Sequence, residues 1–198
     1  MKDLNLGAFK AYDIRTKISN LDDELKLRLY NAVVAYVKDS LKAESVVICH
    51  DARLYVPEMA EDLAMMMRNA GINVFINPQP ISTCQFYHSM MKHRDSAGVM
   101  LTASHNPKEY VGMKLMAQDL IPLAFGYGPD GGVAKIKENY INNVVVPPVS
   151  AKGKVTVINY LDSFIDYSLK LAGLKSGDLN GERIMLEFLS GSSGTEIA

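Results

Sequence analysis

The sequence contains no tryptophan and only two cysteines among its 198 residues. Cys49 and Cys84 stand in apolar stretches, without the spacing of a metal site or a redox motif. This use of cysteine fits a reducing, cytoplasmic compartment. The N-terminus has no apolar block, so no signal peptide is predicted. No run approaches the roughly 18 apolar residues that suggest a membrane span.

Neither sign of charge is in excess: 21 basic side chains balance 22 acidic ones, for a formal net charge of -1. A surface for nucleic acid or an anionic membrane is therefore not indicated. No Walker sequence occurs. The one Gly-x-Gly-x-x-Gly spacing, at residues 126–131, lies in a loop-like stretch and does not directly follow a predicted strand, so a nucleotide-binding α/β domain is not supported. The Gly-x-Ser-x-Gly elbow of many hydrolases is absent too. The apolar fraction of 48% is that of an ordinary globular protein with a core.

The sequence alternates short apolar runs with stretches in which apolar residues recur at helical spacing. The periodicity predicts a helix over 21–38, capped by Ser19 or Asn20, and helices over 57–70 and from Ser82 or Thr83 to 92. It also predicts a short strand that runs into a turn over 8–15, and strands at 45–49, 72–76, 97–101 and 113–116. Prolines at 78 and 80 indicate a loop. Such alternation is typical of a parallel sheet with helices on both faces.

The second part of the chain has a different character. A short helix is predicted over 133–139, a linker over 142–154, a helix over 160–171 capped by Gly173, and a strand over 183–188. We therefore expect two domains, residues 1–148 and the beginning of a second over 149–198. The predicted fold class is α/β: a mixed, mainly parallel sheet in a three-layer α/β/α arrangement, plus the start of a second α/β domain.

Polar clusters follow three of the predicted strands, over 50–53, 77–83 and 102–108. Ligands of open α/β sheets bind beyond the carboxyl ends of the strands. The pattern therefore predicts one shared cleft at this edge of the sheet.

Ser104 lies in the most polar of these connections. The residues alone leave two interpretations open. Ser104 could bond its own loop backbone, or it could carry a phosphate whose charge Lys108, Lys114 and His105 offset. A hydrolytic role is disfavoured, because the adjacent His105 is a poor candidate for the base of a catalytic triad.

Two Asp-x-Arg sequences, Asp13-Ile-Arg15 and Asp51-Ala-Arg53, suggest a carboxylate that holds an arginine. The guanidinium fork could then address an anion such as phosphate. A structural ion pair is the alternative, and for Arg53 the sequence favours it.

Two stretches carry a resemblance to a known family. Thr102-Ala-Ser-His-Asn-Pro107, followed by Tyr110-Val-Gly-Met-Lys114, resembles the active-site loop of the α-D-phosphohexomutases. Phe9-Lys-Ala-Tyr-Asp-Ile-Arg15 resembles the N-terminal signature of their phosphomannomutase/phosphoglucomutase branch. The resemblance spans the first predicted domain and, more weakly, the start of the second.

The resemblance implies an isomerase that moves a phosphoryl group between O1 and O6 of mannose or glucose phosphate. It implies a phosphoserine at Ser104, a bisphosphorylated intermediate, hexose 1,6-bisphosphate as activator, and Mg²⁺ held in part by the phosphate on Ser104. By the same resemblance Lys114 transfers protons, His105 lies at the catalytic site, and Tyr12, Arg15 and Lys114 face the substrate, with Arg15 also catalytic. The family's enzymes are cytoplasmic and have four domains.

The resemblance also implies what this chain lacks. The family's aspartate-rich metal loop, sugar-selecting loop and C-terminal phosphate loop lie in later domains, and no Asp-x-Asp-x-Asp occurs here. We therefore expect no turnover from the isolated chain, and a non-catalytic phosphosugar-binding or regulatory module is the alternative. Thr16 stands where the family usually has Gly, and Val111 where Asn is usual. The first departure predicts a different turn after Arg15, and the second predicts a lost polar contact beside Ser104.

Overall fold

The computed structural model describes residues 3–175, 177–189 and 191–197. The described strands form one seven-stranded sheet. They are β1 (Ile14–Lys17), β2 (Ser45–His50), β3 (Asn73–Pro80), β4 (Ala97–Leu101), β5 (Tyr110–Ala117), β6 (Ile121–Pro122) and β7 (Val155–Val157). The α-helices are α1 (Asp23–Ala35), α2 (Val56–Asn69), α3 (Thr83–Lys92), α4 (Val133–Ile141), α5 (Leu161–Ala172) and α6 (Gly194–Ile197).

The sheet is mixed, with strand order β1-β5-β4-β2-β3-β7 and β6 beside β5. β4, β2, β3 and β7 are mutually parallel, whereas β5 runs antiparallel to β4, β1 and β6. The reversal follows from the short connection between β4 and β5, because only antiparallel neighbours can be joined without a long crossover. The connection that carries Ser104 is therefore a turn between adjacent strands.

Both faces of the sheet are covered, as the predicted α/β/α layering requires. Along β2, Val46 and Ile48 pack into the larger core with α1, α2 and α4. Val47 and Cys49 point to the other face and pack with Phe86 of α3. A strand buried on both faces explains why residues 45–49 form an uninterrupted apolar run.

Several predicted elements are confirmed within a residue or two. These are the strands at 45–49 and 97–101, the helices at 57–70 and 83–92, and the helix that ends at Gly173. Gly173 takes φ 69°, the left-handed conformation of a C-terminal cap. The polar residues after β2, β3 and β4 also share one edge, as predicted, and line a common cleft.

The strand predicted over 8–15 is wrong. The Lys10 amide donates to the Asp13 carbonyl (2.8 Å), and Phe9 forms an isolated bridge with Ile14. Residues 10–13 are therefore a turn, and β1 begins only at Ile14. Thr16 lies inside β1, so a strand and not a turn follows Arg15.

Two smaller predictions are also wrong. Asp22, not Ser19 or Asn20, caps α1 by accepting from the Leu25 amide (2.9 Å). β3 continues through Pro78 and Pro80, where a loop was predicted. Proline is tolerated there because β7 ends at Val157, opposite Ile76, so the ladder between β3 and β7 does not require the missing N–H groups.

The sequence pattern did not reveal β7, and it predicted a strand at 183–188 that the structure lacks. β7 lies beyond residue 148, yet it pairs with β3 in the same sheet. The boundary between domains 1–148 and 149–198 stays a prediction. Residues 183–188 form no strand because no neighbouring strand in the described part of the chain pairs with them; Met185 is 96% exposed. Within the described ranges, no helix is both long and apolar enough to cross a membrane.

Candidate active site

Ser104 lies exposed at the tip of the connection between β4 and β5, which we call the Ser104 loop (residues 102–109). Its backbone has φ 57°, in the left-handed region. That conformation costs a non-glycine residue roughly 1–2 kcal/mol, so the surrounding structure must hold it. One support is Thr102, whose hydroxyl accepts the Ser104 amide at 2.9 Å.

Arg53 supports the loop from the other side. Its Nη1 donates to the carbonyls of Pro107 (2.7 Å) and Tyr110 (2.9 Å). Its Nη2 donates to the carbonyls of Ser104 (2.8 Å) and Asn106 (2.7 Å). The predicted pair with Asp51 is present as well, with Nε donating to Oδ2 at 3.0 Å. Arg53 therefore joins the turn after β2 to the backbone of the Ser104 loop.

Asp51 is itself fixed in place. Its amide donates to the Leu101 carbonyl (3.0 Å), and its Oδ2 accepts from the Thr102 hydroxyl (2.7 Å). Thr102 thus connects the carboxylate that holds Arg53 with the amide of Ser104.

A second group of side chains, the Asp13 cluster, comprises Tyr12, Asp13, Arg15 and Lys114. Asp13 is 1% exposed, and its Oδ2 accepts from Arg15 Nε (2.7 Å) and Lys114 Nζ (3.3 Å). The half-exposed Tyr12 ring lies 5.6 Å from the Arg15 guanidinium and 5.3 Å from Lys114 Nζ. The cluster therefore holds two cations on one buried carboxylate under an aromatic ring.

Asn106 joins the Asp13 cluster to the Ser104 loop. Its Oδ1 accepts from Arg15 Nη1 at 2.9 Å, while its carbonyl accepts from Arg53. A continuous set of hydrogen bonds thus runs from Lys114 through Asp13, Arg15, Asn106 and Arg53 to Ser104. The spatial relation between Arg15 and Ser104 is set by this path.

A cleft of about 780 Å³ opens beside Ser104. His105 and Lys108 line it from the loop, Ser82 from the start of α3, and Ser192 from the end of the chain. Two hydrogen bonds connect the last residues of the chain to the rest of the cleft, one at the start of α3 and one in the turn after β2. The Ser82 amide donates to Glu196 Oε1 (2.7 Å), and the Ala52 amide donates to the Ser192 hydroxyl (3.0 Å).

Gly112 permits the close approach of the two strands that flank β5. An added Cβ there would lie 2.2 Å from the Ile14 carbonyl oxygen and 2.8 Å from that of Thr102. Only glycine lets β5 run between β1 and the start of the Ser104 loop. Gly112, within the family-like segment Tyr110-Val-Gly-Met-Lys114, is therefore required by the packing of the strands.

These features match a known protein family. The model of the phosphoglucomutase/phosphomannomutase α/β/α domain I matches residues 7–124, which include β1, the Asp13 cluster and the whole Ser104 loop. The chain belongs to this family. The family resemblance drawn from Thr102–Pro107 and Phe9–Arg15 is thereby confirmed.

Individual members of the phosphoglucomutase/phosphomannomutase family are similar over most of this chain. A protein described as phosphohexose mutases in Xanthomonas campestris pv. campestris is 32% identical over 172 residues, covering 83% of this chain and 36% of its own length. A phosphomannomutase of Vibrio cholerae is 32% identical over 169 residues, which cover 84% of this chain and 35% of the length of that protein. The chain therefore spans little more than a third of these relatives.

Solved structures of the family share the fold. A phosphoglucomutase/phosphomannomutase family protein from Burkholderia thailandensis superposes with a TM-score of 0.65 at 22% identity, covering 85% of this chain and 36% of that one. The open form of parafusin from Paramecium superposes with a TM-score of 0.70 at 18% identity, and the match covers 94% of this chain and 39% of the parafusin chain.

The structure brings the predicted site residues together in two groups. Ser104 and His105 line the cleft, with the Ser104 hydroxyl 3.4 Å from His105 Nδ1, a long contact for a hydrogen bond. Tyr12, Arg15 and Lys114 form the Asp13 cluster. Within the described part of the chain, no hydrogen bond joins Lys114 to Ser104, and the Lys114 ammonium donates instead to Asp13.

Sequence reasoning missed the contacts that link these groups. The sequence indicates Asp13 only as a partner of Arg15, and it assigns no contact to Asn106. The register of β1 on β5 pairs Ile14 with Met113 and Arg15 with Gly112, so its continuation sets Asp13 opposite Lys114. Opposite charges at facing positions were a usable signal, but only once the pairing of these two strands is known.

The Mg²⁺ implied by the family resemblance does not find a complete site in these residues. Among the residues that the structure describes, no group of three or more His, Cys, Asp or Glu side chains could hold a metal ion. The Asp13 carboxylate is occupied by two cations, and Asp51 by Arg53 and Thr102. These residues alone do not fit a metal centre.

Proposed function

We propose that this chain is the phosphate-carrying N-terminal part of a phosphomannomutase/phosphoglucomutase, which interconverts hexose 1-phosphate and hexose 6-phosphate. Ser104 is the phosphoserine, and the reaction passes through a bisphosphorylated sugar. The observation that carries this proposal is the exposure of Ser104 on the cleft while its backbone is held from both sides. A nucleophile needs an accessible oxygen and a fixed position, and this loop provides both.

The transfer step requires few groups. The phosphoryl group on Ser104 passes first to a free hydroxyl of the bound hexose phosphate: the sugar oxygen forms a bond to phosphorus as the bond from phosphorus to the Ser104 oxygen breaks, which gives the bisphosphorylated sugar. The other phosphoryl group then returns to the Ser104 oxygen as its bond to the sugar oxygen breaks. Lys114 exchanges a proton with the sugar oxygen. Lys114 is held beside this position by the Asp13 carboxylate, to which its Nζ donates at 3.3 Å.

Arg15 binds the phosphate of the hexose that does not react. Three of its five N–H groups are bonded to Asp13 and Asn106, which leaves two for an anion. The adjacent Tyr12 ring covers one side of this position and suits the apolar face of a sugar. His105 completes the site beside Ser104.

Mg²⁺ and the remaining chemistry depend on groups outside this chain. The phosphate on Ser104 supplies one ligand to Mg²⁺, which would neutralise charge on the transferring group when bound. Hexose 1,6-bisphosphate is the activator that loads Ser104. The partners are mannose or glucose phosphate and the C-terminal domains that the longer relatives include. The proposed domains remain 1–148 and 149–198, with β7 of the second segment pairing onto the sheet of the first. The two free thiols support a cytoplasmic location.

The alternative is a phosphosugar-binding or regulatory module without catalysis. The lack of a metal-ligand cluster in the described residues favours it, since phosphoryl transfer in this form needs a cation near the phosphate. In that case the Asp13 cluster binds the sugar phosphate and Ser104 stays unmodified.

Mass spectrometry separates the two. The purified chain, and the chain incubated with glucose 1,6-bisphosphate and Mg²⁺, should carry one phosphate on the peptide containing Ser104, and the Ser104→Ala variant should carry none. No net conversion of glucose 1-phosphate is expected from the isolated chain. An unmodified Ser104 after both treatments, together with binding of glucose 1-phosphate, would establish the binding module instead.

A further inference from the structure

The hydrogen bonds of Arg53 use its whole guanidinium group. An arginine side chain has five N–H donors. Arg53 donates four of these N–H groups to the carbonyl oxygens of residues 104, 106, 107 and 110, and the fifth to the Asp51 carboxylate. The side chain is 11% exposed. None of its donors is left for a substrate phosphate, although Arg53 lines the cleft.

Arg15 offers a useful contrast. It also follows an aspartate by two residues, but its N–H groups are only partly used. The two Asp-x-Arg sequences therefore have different capacities, despite their identical spacing. One arginine can bind an anion, and the other binds only the protein.

The carbonyls that Arg53 contacts lie around the left-handed Ser104. Arg53 donates to the Ser104 carbonyl, and the Thr102 hydroxyl accepts from the Ser104 amide. These two hydrogen bonds fix the peptide groups before and after Ser104. The direction of the Ser104 hydroxyl depends on these two peptide planes. Arg53 can therefore influence chemistry at Ser104 without approaching the reacting atoms.

We infer that Arg53 is a positioning residue for phosphoryl transfer at Ser104, acting through the carbonyl oxygens of the Ser104 loop and not by contact with phosphate. The inference rests on the proposed phosphate-carrying role of Ser104. A displacement of about 1 Å in a reacting group can cost on the order of 10²-fold in rate. Arg53 should therefore govern the rate of transfer and leave the affinity for the phosphate donor unchanged.

Lysine is the informative replacement. Arg53→Lys keeps the positive charge, but three N–H donors on one nitrogen cannot reproduce five donors in a planar fork. If only the charge mattered, the variant would behave like the wild type. If the fork holds the loop, the charge alone cannot restore the position of Ser104.

The experiment follows phosphate incorporation at Ser104 by intact mass over time, across a range of glucose 1,6-bisphosphate concentrations with Mg²⁺ fixed. Arg53→Lys should lower the maximal rate by roughly 10- to 100-fold, with less than a twofold change in the half-saturating concentration. Arg15→Lys should instead raise that concentration. Arg94→Lys, at an exposed pair with Asp119, is the matched control and should match the wild type.

A second measurement reports on the loop itself. The amides of Ser104 and Asn106 are hydrogen-bonded to Thr102 and to the Ala103 carbonyl. Their hydrogen exchange should accelerate by about tenfold or more in Arg53→Lys, through loss of charge-assisted bonds, and not in Arg94→Lys. Where Arg53→Lys fails to fold, Thr102→Val takes its place, because it removes the hydroxyl that bonds to Asp51, the carboxylate that holds Arg53, and also the acceptor of the Ser104 amide. Thr102→Val should also slow transfer without changing half-saturation.

The outcomes separate the two proposals. A wild-type chain that takes no phosphate contradicts the proposed function, while the exchange measurement still tests whether Arg53 holds the loop. A wild-type chain that is phosphorylated no faster than Arg53→Lys overturns the positioning role. An unchanged maximal rate with weaker half-saturation also overturns it, because Arg53 would then bind the anion directly.

Discussion

Thr16 and Val111 lie directly opposite each other in the antiparallel pairing of β1 and β5. They are the two positions at which the family resemblance led us to expect Gly and Asn. Thr16 is buried and its hydroxyl accepts from Asn5 Nδ2 at 2.7 Å, while Val111 is fully buried in the larger core. The departures therefore form one cross-strand pair and not two independent changes.

This pairing predicts coupling between the two positions. Val111→Asn should destabilise the protein by about 1–3 kcal/mol, because an amide enters an apolar core. In the Thr16→Gly background the cost should be smaller by at least about 0.5 kcal/mol, since the missing side chain leaves space opposite residue 111. Urea unfolding of the single and double variants measures the difference. Strictly additive effects would show that the two side chains do not interact.

The buried Asp13 carboxylate predicts a large effect of neutralisation. Asp13→Asn leaves Arg15 and Lys114 without their shared partner, and we expect a loss of about 2–3 kcal/mol, below the full range for a buried pair because both cations are partly exposed. Asp119→Asn removes a partner from the exposed Arg94 pair and should change stability by less than about 1 kcal/mol. Equal losses for both variants in thermal or urea unfolding would contradict this account.

The close approach at Gly112 predicts that even one methyl group is too large. Gly112→Ala would place Cβ 2.2 Å from a backbone oxygen. Because backbone atoms cannot move aside as a flexible side chain can, we expect a loss of about 3 kcal/mol or more. Gly7→Ala, where nothing lies within 4 Å of the added Cβ, is the control and should be close to neutral. Retention of wild-type stability by Gly112→Ala would show that β1 and β5 can separate.

The contact between α3 and α5 predicts a dependence of stability on pH. His88 Nε2 lies 2.9 Å from the Ser163 hydroxyl, and His93 Nε2 lies 2.7 Å from the Tyr160 hydroxyl. Burial lowers the pKa of both histidines, and for His88 the nearby Lys92 lowers the pKa further. The folded state therefore binds these protons less readily than the unfolded state does.

The sign of the effect follows from this difference. The histidines contribute their full stability above the unfolded pKa of about 6.5, and the contribution is lost as pH falls below it through the lowered folded pKa. Stability measured by urea unfolding should thus decline as the pH falls below about 6.5. In the double variant His88→Gln, His93→Gln the decline should be shallower. An unchanged slope would assign the pH dependence to other groups.

The two thiols should differ in reactivity. Burial raises the pKa of Cys49 to about 12, whereas Cys84 is exposed at the start of α3. The thiolate is the reactive form, so one thiol per chain should react rapidly with an aromatic disulfide reagent at pH 8. The second should react only on unfolding. Loss of the rapid reaction in Cys84→Ser, and its persistence in Cys49→Ala, would confirm the assignment.

The fold was predictable where local pattern and tertiary environment agree. β2 and β4 are buried on both faces, so an apolar run alone marks them. β7 could not be predicted in the same way, because Val155 and Val157 are exposed and the strand exists only through its bonds to β3. The residues at 183–188 show the reverse case, in which strand-forming composition finds no partner in the described part of the chain.

The sequence was sufficient to predict which residues belong to the site, but not which contacts those residues make. The motif around Ser104 indicated a functional loop, and the two Asp-x-Arg sequences indicated held arginines. What distinguishes Arg15 from Arg53 is the number of donors that the rest of the protein uses, and that number depends on backbone carbonyls far along the chain. Spacing within three residues carries no information about it.

The position of β7 has a practical consequence for dividing this protein. A polypeptide shortened to residue 148 would leave Val74, Phe75 and Ile76 of β3 without their hydrogen-bonding neighbour. An unpaired apolar strand at the border of a sheet invites association with other chains. The amino-terminal unit should therefore remain monomeric in dilute solution when it extends at least through Ile158, whose amide donates to the Ile76 carbonyl, and self-associate when it stops short of β7.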